Sequence, residues 1–132
     1  MTPQEVTKTF IERISAQDVD GLYSLMSENH IFIDGGGQVV QGRETMRTGW
    51  QAYFAMMPDY RIECEYMLCE GERVAVFGKA RGTYTREGRL KPENRWEIPA
   101  AWMAVVRDGK VCEWRVYADN DSVRLIIERE SG

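Results

Sequence analysis

Metal-binding residues are scarce in this chain: 132 residues hold one histidine, three cysteines and no Cys-x-x-Cys pair, too little for a zinc centre. The net charge is −4 with both signs interspersed, so no basic stripe exists for nucleic acid and no polybasic patch for a membrane surface. No apolar run approaches the ~20 residues of a membrane span. The start, MTPQEVTKTF, lacks the charged-then-apolar order of a secretory signal. The stretch GGGQVVQG (35–42) lacks the lysine and spacing of a phosphate loop, so no cofactor is expected. No repeat or linker interrupts the sequence, which reads as one domain over 1–132 with room for a full core. Cys64, Cys69 and Cys112 fall in apolar stretches and are expected as buried thiols of a cytoplasmic protein.

The elements present are a helical first third and an alternating remainder. Thr2-Pro3-Gln4-Glu5 carries a capping box, and Val6, Phe10 and Ile14 form a stripe at helical spacing. Asp18 caps a second, shorter helix that ends at Ser27-Glu28-Asn29. A strand from His30 to Asp34 runs into Gly35-Gly36-Gly37, with a brief return strand over Gln38 to Val40. Gly42 to Met57 is a third helix, stopped by Pro58. The period then switches to two. Tyr60, Ile62, Cys64, Tyr66 and Leu68 alternate with Arg61, Glu63, Glu65, Met67 and Cys69, a Glu70-Gly71-Glu72 turn follows, and Arg73 to about Tyr84 forms the next strand. Trp96 to Val106 is apolar on both sides, Asp108-Gly109 signals a hairpin, and Lys110 to Asp119 alternates again before a helical tail. Helices first and strands afterwards predict an α+β domain: helices packed in a curved antiparallel sheet, a cone with a pocket at its open end.

Asp34 is the foremost candidate for chemistry. In an apolar pocket its carboxylate would move a proton at a carbon next to a carbonyl; alternatively it only accepts hydrogen bonds from the amides of the glycine turn. His30 lies two residues earlier on the same strand face, and Tyr53 offers a hydroxyl to a substrate carbonyl. Phe10, Phe32, Trp50, Phe54, Met57, Trp102, Trp114 and Val116 are expected to line the pocket and hold a small apolar ligand. Arg61, Glu63, Lys79, Arg81 and Arg115 then decorate the outer sheet face. A strand apolar on both sides needs cover on both, which predicts a homodimer through the sheet.

The segments SAQDVDGLYSLM (15–26), IFID with its glycines (31–37), GRETMRTGW (42–50) and DGKVCEWRVYAD (108–119) resemble the SnoaL-like, polyketide-cyclase-like branch of the nuclear-transport-factor-2-like superfamily. The resemblance spans nearly the whole chain and implies the cone fold. It places Asp34 at the general-base position of the ketosteroid isomerases of this fold. Their oxyanion tyrosine falls at Phe10, and their second aspartate, like the SnoaL cyclases' catalytic one, falls near Ala101. One aspartate of the epoxide-hydrolase-like members falls at Val116, and Lys79 to Thr83 offers no partner for it. Two functions stay open: cofactor-free isomerase, cyclase or hydrolase chemistry with Asp34 as base, or a non-catalytic ligand-binding or dimerisation module.

Overall fold

The computed structural model describes residues 1–131. Helix α1 (Pro3–Ser15) begins at the Thr2–Glu5 capping box and buries Val6, Phe10 and Ile14. Helix α2 (Val19–Leu25) is capped by Asp18, whose Oδ1 accepts from the Gly21 amide at 2.9 Å. Strand β1 (Met26–Ile33) starts earlier than its polar residues suggest, because Met26 is fully buried and pairs with Val111. Strand β2 (Val39–Gln41) returns along it, and α3 (Arg43–Met56) follows from Gly42. Strands β3 (Arg61–Glu70), β4 (Arg73–Thr83), β5 (Arg95–Arg107) and β6 (Lys110–Tyr117) form the meander, with a 3-10 turn at Pro92–Asn94 before β5. Helix α4 (Asp121–Ser131) closes the chain.

The six strands form one sheet in the order β2-β1-β6-β5-β4-β3. All pairs are antiparallel except β1 with β6, so the sheet is mixed rather than wholly antiparallel. The helices pack in its concave face, and the α+β cone is the observed architecture. Trp102 and Trp114, each 1% exposed, anchor the core with Phe10, Leu22 and Val76.

Two expectations about β3 need correction. Tyr66 and Leu68 do not share the inner face with Ile62; both are exposed, and Met67 turns inward instead. The cause is a bulge: Cys64 pairs with Gly78 and Tyr66 with Phe77, leaving Glu65 extra and reversing the alternation beyond it. Cys64 and Cys69 are exposed and Cys112 is half-buried, not core thiols.

Gly78 makes the bulge possible, since a Cβ there would sit 1.8 Å from the Glu63 carbonyl oxygen. Gly78→Ala should cost about 3 kcal/mol, because the obstacle is backbone and cannot swing aside. Urea denaturation of the variant measures this, and a loss below ~0.5 kcal/mol would show that the bulge relaxes freely.

Candidate active-site cavity

Packing α3 and α4 against the inner sheet face leaves a cavity of about 1040 Å³. That volume stands at the upper end of the ~300–1,000 Å³ usual for small-molecule sites. Its wall is largely aromatic because α3 and its C-cap turn Trp50, Tyr53 and Met57 inward while β5 and β6 present Trp96, Trp102, Trp114 and Val116. A run of ring contacts links Phe32 to Trp50 (6.4 Å between centroids), Trp50 to Tyr53 (6.3 Å), Tyr53 to Tyr60 (4.9 Å) and Tyr60 to Trp96 (6.0 Å). Burial pushes the Tyr53 and Tyr60 phenols well above their ordinary range, so both stay protonated.

Asp34 lines the cavity just past the end of β1. Its Oδ1 accepts from the amides of Gly36 and Gln38, both at 2.9 Å. The hydrogen-bonding reading is thus realised: the carboxylate is fixed by the glycine turn, in a residue that also lines the cavity. Among the described residues Oδ2 accepts no hydrogen bond and Asp34 joins no ion pair. The other cavity carboxylates are engaged, Glu44 by the Tyr23 hydroxyl and Glu128 by Arg124 at 2.6 Å.

Of the expected wall, Phe32, Trp50, Tyr53, Met57, Trp102, Trp114 and Val116 reach the cavity, and three expected site residues do not. Phe54 stacks behind Trp50 at 5.2 Å. Phe10 fills the closed end of the cone, its ring 5.0 Å from Trp114. His30 is fully buried beside Phe10, its Nδ1 donating to the Val111 carbonyl at 2.7 Å. It shares a strand face with Phe32, but the cone is already filled at its level. Ala101, near which the resemblance places a second catalytic aspartate, lies on the outer face opposite Tyr117 and Phe77; Ala100 and Trp102 are the inward residues of that stretch. Neither is acidic. Sequence reasoning missed Tyr60, Trp96 and the α4 residues Val123 and Ile127. Period-two parity with Ile62 and Ile98 marks the first two, whereas nothing local places α4 over the cavity.

Burial holds the His30 imidazole below its ordinary pKa of 6.5, against the favourable bond to Val111. The unfolded chain therefore takes up a proton that the folded one refuses. Stability from this source is complete above pH 6.5 and declines as pH falls beneath it. His30→Asn, which keeps a donor for Val111, should flatten the decline between about pH 6.5 and 5 in thermal melts. An unchanged slope would exclude His30 as its source.

The fold has many solved counterparts. A proposed SnoaL-like polyketide cyclase from Shewanella denitrificans superimposes with a TM-score of 0.82 at 13% identity, covering 96% of this chain and 97% of that one. IdmH, a proposed polyketide cyclase from Streptomyces antibioticus, gives 0.79 at 22% identity with 97% and 99% covered. An LEH-like epoxide hydrolase from M. tuberculosis gives 0.78 at 15% identity with 96% and 90% covered. Such identities establish the fold and leave the activity open. No curated protein sequence matches. The SnoaL-like domain pattern, however, matches residues 7–114, from the first turns of α1 through Trp114 in the cavity wall, and the chain belongs to the SnoaL-like domain family.

Proposed function

We propose that the cavity binds a small apolar, carbonyl-bearing molecule and that Asp34 acts on it as a cofactor-free proton-shuttling base. The carrying observation is Asp34 itself: one carboxylate oxygen accepts from two amides, the other from none, in a residue that lines an aromatic cavity. Orientation of this kind suits removal of a proton from a carbon next to a carbonyl, the step shared by isomerisation and cyclisation. The test is deuterium uptake at that carbon, followed by NMR, when apolar ketones are incubated with the protein in heavy water. Uptake that depends on Asp34 supports the reading. Binding without uptake favours a ligand-binding module, the reading suggested by the tie of Asp34 to its turn and by the missing catalytic groups at Phe10, Val116 and near Ala101.

The same reading includes a homodimer through the sheet. On the outer face Tyr66, Phe77, Ala101 and Tyr117 align across four strands, with Leu68, Ala75 and Met103 in the next row. Tyr66, Leu68, Phe77 and Tyr117 are each 44–60% exposed in the single chain, an apolar patch that a second copy would cover. Light scattering should give twice the 15.3 kDa chain mass, reverting to one chain in Phe77→Glu. A monomeric wild type would sink the dimer. Exposed Cys64 and Cys69, neither of them in a disulfide, suit a reducing cytoplasm. No helix among the described residues is long and apolar enough to cross a membrane.

A further inference from the structure

Exposed residues of the cavity wall recur at every fourth position on two helices: Glu44, Thr48 and Ala52 along α3, and Asn120, Arg124 and Glu128 along α4 and the residue before it. The mouth of the cavity is therefore a slot between α3 and α4. Among the described residues no hydrogen bond or ion pair crosses that slot, and those that tie α4 to another element all go to the 84–94 connection between β4 and β5. Arg129 donates to the Glu93 carbonyl at 2.9 Å and to Asn94 Oδ1 at 2.6 Å. Arg86 donates to the Glu130 carbonyl at 2.8 Å, and Lys91 Nζ stands 3.7 Å from the Glu130 carboxylate. Asn94 is a fixed seat for this latch, being buried with its amide donating to the Tyr84 carbonyl at 3.2 Å.

Packing holds α4 less firmly than the other long helices. It buries Val123 alone, whereas α1 buries Val6, Thr7, Phe10, Ile11 and Ile14. Val123 and Ile127 border the cavity, so part of the inner face of α4 has empty space where a packed helix has neighbours. At its start, residues 118–120 join α4 to β6 beside the Asp34 turn: a Cβ on Gly35 would come within 2.9 Å of the Ala118 carbonyl oxygen and 3.1 Å of the Asn120 side-chain nitrogen. A helix latched at its last turn, linked at its first and facing a void between is built to swing. We propose that α4 is a lid: the latch at 129–130 leaves its seat, the helix turns about 118–120, and the slot widens to pass the ligand. This rests on the reading of the cavity as a small-molecule site and adds how that molecule enters and leaves. Closure brings Asn120 back beside the turn that holds Asp34.

The test follows a neutral fluorescent probe, an acyl-(dimethylamino)naphthalene, into and out of the cavity by stopped flow. Hydrogen exchange of the α4 amides is a second readout that needs no ligand. Arg129→Ala removes both bonds to the 93–94 seat and should speed probe entry and release roughly tenfold each, with faster α4 exchange and little change in affinity. Lys91→Cys with Glu130→Cys, at side chains that already meet, locks the latch when bridged by a short bismaleimide in a chain carrying Cys64→Ser, Cys69→Ser and Cys112→Ser. The bridged protein should exchange the probe roughly tenfold more slowly than the unbridged one. If Arg129→Ala and the bridge both leave the probe rates unchanged, or if α4 amides are as protected as those of α1, the helix is a fixed wall. The lid is then overturned while the cavity reading stands. If wild type binds no probe, the small-molecule reading fails and takes the lid with it.

Discussion

Asp34→Asn should lower deuterium uptake by roughly 10²–10⁴-fold while leaving the fold intact, the range that general-base catalysis supplies. The substitution is informative because of what it keeps. An asparagine oxygen accepts from the Gly36 and Gln38 amides as Oδ1 does now, at 2.9 Å each, so the turn and the cavity outline persist. Only the capacity to take a proton is removed. Melting temperature and probe affinity should therefore stay near wild type, separating chemistry from stability. Should uptake persist at the wild-type rate, the base lies elsewhere and Asp34 is a turn residue alone.

Trp114→Ala should destabilise the protein by about 3–5 kcal/mol, the range for removing a large aromatic from a packed core. Trp114 is 1% exposed, packs on Phe10 at 5.0 Å and stacks on Trp102 at 6.4 Å with planes 20° apart. It joins the closed end of the cone to the cavity wall, so the space it leaves borders an existing void and little can collapse into it. Urea denaturation gives the loss directly. A cost under about 1 kcal/mol would mean that the cone does not depend on this ring.

Much of this was legible in the sequence where a periodic pattern had one buried face to serve. The Val6–Phe10–Ile14 stripe, the Asp18 cap and the inward parity of Trp114 and Val116 all follow from that. The alternation of β3 misled beyond Cys64 because one extra residue, Glu65, inverts every later side chain, and the clue was a glycine on the neighbouring strand. His30 failed differently. Alternation correctly gave its face, but how deep the cone is filled depends on Phe10, Val111 and Trp114, far away in sequence. No local window contains that information.

The parallel pairing of β1 with β6 has a consequence for how the site comes into being. Strand β1 has only β2 and β6 as neighbours, and the His30–Val111 bond spans 81 positions. The α3 helix and the β3–β4–β5 meander can form from nearby contacts, but Asp34 waits for the last strand to dock beside it. Contacts of such long range close slowly, since the loop entropy must be overcome first. During synthesis, then, most of the sheet can assemble while β1 still lacks its β6 neighbour, and the cavity is completed only when β6 and then α4 have emerged.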